Sequence, residues 1–441
     1  MFKTLRNALK VKEIRNGLIY TFLMIIVIRL GSQLPLPGTN QDVIKSITNQ
    51  FSQGAFSFFD ALTGGSFSEM SIFALNISPY ITASIIIQLL TIAIPKLEEM
   101  QKDGEDGRKK IQKLTRFVTV GLAVIEGTAM AIGFGNKGVF GVVSSMSKVQ
   151  YAGVITVAVI TMTAGSAFVM WIGERITEKG VGNGISIVLM VNIISRIPSD
   201  LSNLYQRFVV NASNIGMKIL ASVVILAIII FIIGFVVLLQ DGQRKIAVQY
   251  SKKVQGRKMV GGQSSHIPLK VNTAGVIPVI FAQSLLQFPV VIGSFFGQSN
   301  AEWVKYLSSQ YWCSPDAWKY SVGLLGYILL VFFFAYFYTS ITFNPVEVAN
   351  NMKKQGGFIP GIRPGKPTST YLQSIINYII FIGAVGLILV AVTPIIFSGV
   401  FKASVSFGGT SLIIIVGVVI ETIKNIESKM VVRNYKGFLT E

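Results

Sequence analysis

Cysteine and histidine are almost absent: the 441 residues contain one of each, Cys313 and His266. A single cysteine excludes an internal disulfide framework and a cysteine-based metal cluster, and a single histidine excludes an HExxH site or a multi-histidine metal centre. Charge is scarce as well, at 13% of residues against 51% hydrophobic, which excludes an ordinary soluble domain of this length. No GxxxxGK[ST] phosphate loop is present, because GIRPGKP puts Pro367 where Ser or Thr belongs. His266 falls in a polar loop, so an intramembrane Ser/His dyad lacks its base. No catalytic residue, metal site or cofactor is expected, and energy for any transport step has to come from a partner or from a membrane potential.

What the chain does have is a series of apolar stretches of the length a bilayer requires, about 20 residues for a core of roughly 30 Å. Ten can be drawn, at about 17–34, 72–94, 117–135, 151–172, 181–197, 215–240, 274–297, 320–343, 371–397 and 409–425. Lys3, Arg6, Lys10, Lys12 and Arg15 precede the first, which shows no small-residue cleavage site and reads as a retained span. With that basic end in the cytoplasm, ten crossings return the C-terminus to the same side. The segments 1–16, 95–116, 173–180, 241–273, 344–370 and 424–441 then hold 29 of the 39 Lys and Arg residues, against nine on the opposite side. Arg29 is read as snorkelling outward from the end of the first span. A miscounted helix scrambles this asymmetry, which also accounts for the formal net charge of +19.

Ten spans divide into five and five, and an odd number per half gives inverted repeats around a central path. The expected organisation is a basic N-terminus 1–16, a first half 17–197, an outer hinge loop 198–214, a second half 215–425 and a tail 426–441. In the outer loop 35–71, the apolar piece Ala55 to Phe67 is too short to cross and is broken by Gly64 and Gly65. It reads as a half-inserted helix or as an amphipathic helix at the outer interface. Asp60 and Glu69 border it and read as solvated loop charges. The loops 241–273 and 344–370 are long, polar and basic. IAVQY from Ile246 and the alternation around Met259 suggest a β-hairpin, and VEVANNMKK a short helix capped by Gly356 and Gly357. Such loops attract anionic lipid, RNA phosphate or an acidic protein; fixing topology explains their charge but not their length.

RLGSQLPLPG (29–38), SPYITASIIIQLL (78–90), GEDGRKK (104–110) and GVGNGISI (180–187) resemble the bacterial SecY family. HIPLKVNTAGVIPVIFAQS (266–284), FNPVEVANNMKK (343–354), FIPGIRPG (358–365) and FGGTSLIIIV (407–416) resemble it in the same order. The likeness runs from about Arg15 to Ile426, while the outer loop around Cys313 and the tail after Lys429 carry no distinctive match. It implies an all-α membrane protein of ten transmembrane helices, a clamshell of two inverted five-helix halves around an hourglass pore. It implies a bacterial inner-membrane location with both termini cytoplasmic. The implied activity is that of the pore subunit of a protein-conducting channel, which passes unfolded secretory chains and releases transmembrane segments through a lateral gate between the second and seventh spans.

The same resemblance implies a constriction made by Ile77, Ile81, Ile185, Leu189, Ile280 and Ile414. Spacing alone does not single these out, since aliphatic residues abound in any membrane helix; a ring of them resists ion leak by dewetting. It implies a plug over 55–70, with Phe58, Phe59, Asp60, Leu62, Gly64 and Gly65. In the gate helices Pro79 and Pro278 each remove a helical donor and favour kinks, while Gln88 and Gln283 serve either as polar contacts along the seam or as satisfied buried amides. Arg363, presented by the turn around Gly361, Pro364 and Gly365, matches a basic position used with the motor ATPase SecA, and Arg244, Lys252, Lys253, Arg257 and Lys258 resemble a surface used by SecA and the ribosome, whose rRNA basic loops contact. The implied partners are SecE and SecG, SecA, the ribosome, signal peptides and unfolded preproteins, and anionic lipids.

Two other classes compete on the residues themselves. A secondary transporter also has inverted repeats and needs intramembrane ionisable groups, for which Glu126 and Glu421 are the candidates. An intramembrane enzyme lacks the motifs named above.

Overall fold

The computed structural model describes residues 9–40, 42–44, 46, 57–141, 147–210, 215–250, 253–255, 258–260, 264–295, 301–401 and 409–437. Each of the ten apolar stretches coincides with a helix of 16 residues or more. In order these are α1 (Lys12–Ser32), α3 (Ser78–Ala93), α5 (Gly104–Gly135), α6 (Lys148–Lys179), α7 (Gly184–Tyr205), α8 (Ile215–Asp241), α9 (Ile277–Phe295), α11 (Val322–Thr342), α13 (Lys366–Phe401) and α14 (Thr410–Gly437). Shorter helices intervene: α2 (Ser57–Thr63), α4 (Pro95–Lys102), α10 (Glu302–Leu307) and α12 (Pro345–Lys354). Among the described residues, α1, α5, α6, α7, α8, α11 and α13 are long and apolar enough to cross a membrane, and α3 with α4, bent by 104° at their break, makes an eighth if the pair is one span.

Two expected boundaries move. The outer loop expected from residue 198 is helical, because α7 runs through Pro198 to Tyr205 and continues as a π turn over Gln206–Val210. The tail expected from residue 426 begins inside α14.

Packing follows from which faces are apolar. Met70, Ala123, Phe134 and Met162 close a core among α5, α6 and the segment before α3. Val236, Val279, Val331, Leu387 and Ile413 close a second among α8, α9, α11, α13 and α14. Outward faces stay greasy: Phe231 is 73% exposed, Leu238 74% and Leu329 69%. Water would not tolerate a whole helix side of this kind, and lipid does.

The two polar loops form one body. β1 (Gln243–Tyr250) pairs antiparallel with β4 (Ser264–Lys270), Ile246 opposite Ile267, and β5 (Gly357–Phe358) joins the other edge of β1. β2 (Lys253–Gln255) and β3 (Lys258–Val260) pair beyond them, so the hairpin expected near Ile246 and Met259 has two parts. Period-two alternation turns Ile246, Val248 and Leu269 onto Met352, Ile359 and Ile376 and leaves Lys245, Ala247 and Lys270 on the other face, exposed, while Arg244 is exposed near the start of β1. Asn344 caps α12 by accepting from the backbone N–H groups of Val346 and Glu347. Its far end departs from expectation: Gly356 takes φ +73°, whereas Gly357 is no cap but a strand residue opposite Tyr250.

At the other end of the molecule, the segment 301–321 folds over α9, α11 and α13 around Trp312, which is 1% exposed. Its indole N–H donates to the Tyr306 carbonyl at 2.9 Å, and its ring lies 5.9 Å from that of Tyr327. Trp312→Ala is expected to remove about 3–5 kcal/mol. The check is a clear drop in the thermal unfolding midpoint in detergent, absent in Trp318→Ala, whose indole is 71% exposed.

Candidate functional site

A third apolar cluster joins the two halves of the chain. Ile77, Ile280 and Ile414 are buried in it, and Ile81, Ile185 and Leu189 are half-buried against it. All six residues expected at the constriction therefore come together. Each lies at the start of its helix. Ile77 is the N-cap of α3, and Ile81 donates its N–H to the Ile77 carbonyl at 3.0 Å. Asn183 caps α7 by accepting from the N–H groups of Ile185 and Ser186, which puts Ile185 and Leu189 on one face in the first two turns. Ile280 and Ile414 sit in the opening turns of α9 and α14.

The gate prolines are corrected by the same geometry. Pro79 and Pro278 occupy the second positions of α3 and α9, where the missing donor has no intrahelical acceptor. They start these helices and do not kink them. Among the described residues, the prolines inside helices are Pro198, Pro289 and Pro394.

On one side of the cluster lies a cavity of about 1390 Å³, bordered at its apolar end by Ile81, Ile185, Leu189, Ile280 and Ile414. Its polar end carries Lys109, Arg116, Glu174, Lys270, Glu421 and Lys424. Glu174 takes Arg116 at 2.8 Å and Gln112 at 3.1 Å, which ties α5 to α6 there, while Lys424 meets Asp241 at 2.7 Å and ties α14 to α8. Gln88 faces the cavity from α3; Gln283, half-buried on α9, does not border it. Glu421 borders the cavity at its mouth, and Glu126 does not border it.

On the other side sits α2. Leu62 packs into the central cluster, and the chain then turns at Gly64 (φ +68°) and Gly65 (φ +94°). A Cβ on Gly64 would stand 2.9 Å from Nη1 of Arg29 and 3.0 Å from the Asn192 backbone, so the turn needs glycine for both conformation and space. Polar bonds hold the segment. Asn192 donates to the Leu62 carbonyl at 3.2 Å, Asn76 to the Thr63 carbonyl at 3.4 Å, and Arg29 to the Gly64 carbonyl at 3.4 Å. Ser68 N–H donates to Asp60 Oδ1 at 3.0 Å, and Asp60 is ion-paired with Arg196.

Two readings change here. Asp60 is 3% exposed and paired, not a solvated loop charge, because α7 extends far enough to bring a guanidinium over it. Arg29 does not snorkel outward but turns in to the α2 turn. Glu69 is exposed, as expected; partial burial pushes its carboxyl up and Arg29 draws it back down. Phe58 and Phe59 lie within α2. Sequence reasoning missed Arg29, Asn76, Asn192 and Arg196 as seat residues. The signal was available in Arg29 and Arg196, two arginines at the ends of apolar stretches.

On the basic face, Arg244 projects from β1, and Arg363 is exposed on a turn closed by the Ile362 N–H to Ile359 carbonyl bond (3.0 Å) and the Thr368 hydroxyl to Arg363 carbonyl bond (2.8 Å). Lys253 and Lys258 stand on β2 and β3. Lys252 and Arg257 lie outside the described residues.

This architecture is shared with solved translocation channels. A structure of SecY, whose plug domain stabilises the closed state of its channel and maintains a membrane seal, superposes with a TM-score of 0.62 at 19% identity, over 96% of this chain and 94% of that one. Sec61 in the canine ribosome–channel complex of the endoplasmic reticulum matches at 0.60 and 17%, over the same shares. The fold is thus that of the protein-conducting channels, and the chain is a multi-pass membrane protein. The sequence model of SecY matches residues 71–423, and the protein translocase subunit SecY of Halalkalibacterium halodurans is 43% identical over the full length of both chains. The chain belongs to the SecY family.

Gly64→Val is expected to unseat α2. In a Leu62→Cys, Cys313→Ser background, a membrane-impermeant maleimide should label the introduced thiol several-fold faster once Gly64 is replaced.

Proposed function

We propose that this chain is the pore-forming subunit of a protein-conducting channel, passing unfolded polypeptides across a bacterial cell membrane and releasing transmembrane segments sideways. The observation that carries the reading is the convergence of six aliphatic side chains from both halves between a large cavity and a seated short helix. Such a ring offers no partner to a hydrated ion, yet its side chains can spread around an extended peptide. α2 with its turn, 57–70, acts as the plug on the far side. α3 and α9 border the cavity and form the lateral gate, with Gln88 along the route.

The basic loops set the orientation. All ten long helices cross, in two inverted halves of five, with both termini and the β1–β4–β5 sheet in the cytoplasm, where the excess of Lys and Arg belongs. Partners on that face are the motor ATPase SecA and the ribosome, whose acidic groups and rRNA phosphates complement Arg244, Arg363, Lys253 and Lys258. Lys252 and Arg257 extend the same basic run in sequence. SecE and SecG complete the membrane complex, and anionic lipids meet its basic rim.

Vesicles containing the chain with SecE, supplied with SecA and ATP, should draw a secretory preprotein into a protease-protected state. Protection that never depends on ATP would overturn the reading. Arg363→Glu should slow this transport several-fold with the channel still inserted.

Ile81→Ser with Ile280→Ser should raise the resting ion leak of the same vesicles by about an order of magnitude, since two hydroxyls let water wet the ring. Conductance measurements on planar bilayers give the same comparison per channel.

A further inference from the structure

The face of α7 that supplies Ile185 and Leu189 continues at helical spacing to Asn192 and Arg196, so one stripe carries first the ring and then the seat of α2. The seat is half polar. Leu62 enters the central apolar cluster and Phe67 and Met70 the core of α5 and α6, but Asp60, Thr63, Ser66 and Ser68 are buried as well. Charge is matched across it: Asp60 on the α2 side, and Arg196 and Arg29 opposite, with the buried Asp200 one turn beyond Arg196. The Nε of Arg196 is buried without a hydrogen-bond partner of its own, while the side chain as a whole is half-buried.

We propose that the Asp60–Arg196 pair is a latch that sets how often α2 leaves the ring. The proposal rests on the channel reading. A buried pair adds little net stability, but removing one partner leaves an uncompensated charge, so the pair fixes position far more than it adds to stability. It also weakens as water enters, because the attraction falls with rising dielectric. Entry of a hydrated polypeptide therefore loosens the latch, whereas an apolar seat of equal strength would stay closed. Ser68 N–H and Asn192 orient the two sides, and Arg29 holds the turn that follows.

The test uses the complete complex in vesicles, with two readouts: resting ion leak, and labelling of Leu62→Cys by an impermeant maleimide in a Cys313→Ser background. Asp60→Asn and Arg196→Gln should each raise both by about tenfold, less than the loss of one partner from a fully buried pair, because the Arg196 side chain is 22% exposed. Arg196→Lys, which keeps the charge, should recover most of the seal. The double variant should be no leakier than the worse single one, because one interaction is lost only once. Tight single variants, or effects that multiply in the double variant, would overturn the latch. The Ile81→Ser, Ile280→Ser channel separates the two readings. If it leaks while the Asp60 and Arg196 variants stay tight, only the latch fails; if it too is tight, the channel reading fails and the latch with it.

Discussion

Everything at the centre of this protein depends on a junction that has no polar group to offer. Ile77, Ile81, Ile185, Leu189, Ile280 and Ile414 come from four helices that all begin there. Beginning a helix leaves backbone N–H groups without intrahelical acceptors, and inside an apolar protein those groups are costly. The sequence answers locally. Asn183 takes two of them at the start of α7, and Pro79 and Pro278 delete one each at the second positions of α3 and α9. The prolines and the asparagine therefore help to build the junction even though none of them belongs to the aliphatic cluster. An apolar ring made of helix beginnings is less costly where some of its orphan donors are capped or removed in this way.

The basic face is built by a different rule. Two loops far apart in sequence become one unit because β5 pairs with β1, and because the alternating residues Ile246, Val248 and Leu269 find a common apolar floor with Met352, Ile359 and Ile376. The arginines then stand exposed on a fixed backbone: Arg363 on its hydrogen-bonded turn, and Arg244 near the start of β1 in register with Leu269. Between Lys270, the last residue of β4, and Ile280 in the ring lies a short connection, fixed by the bond from the Asn272 amide to the Gly275 carbonyl at 2.9 Å. The sheet thus stands one tight turn away from a helix that reaches the central apolar cluster.

How much of this could be read from residues alone varies with the physics involved. The ten helices were legible because apolar length and loop charge are properties of contiguous sequence. The sheet was half legible: alternation near Ile246 is local, but its pairing with β5 depends on a loop a hundred residues away. The meeting of the six aliphatic residues was not legible from spacing, as Ile81 looks like any other isoleucine of α3, and it took a family resemblance to group them. The α2 seat was misread for a related reason. Asp60 and Arg196 are ordinary polar residues in isolation, 136 positions apart, and only the tertiary packing of α2 against α7 brings them together.

In the channel proposed above, ring and seat play contrasting parts. An aliphatic ring excludes ions only while it is dry, and its closure depends on contacts whose energy falls gradually as side chains part. It has no sharp threshold. A polar seat behaves in the opposite way. Within it Ser66, Ser71, Asn76 and Asn192 each retain a buried side-chain oxygen without a protein partner, so water that enters finds binding partners at once. Exchanging protein hydrogen bonds for water ones changes the net free energy little. The helix over the ring is therefore held firmly while the site is dry and lightly once it is wet. A dry ring keeps the seat dry, and the seated helix, through Leu62, adds an apolar contact to the ring. The two elements protect each other, which makes the resting state cooperative: wetting either one removes the condition on which the other depends.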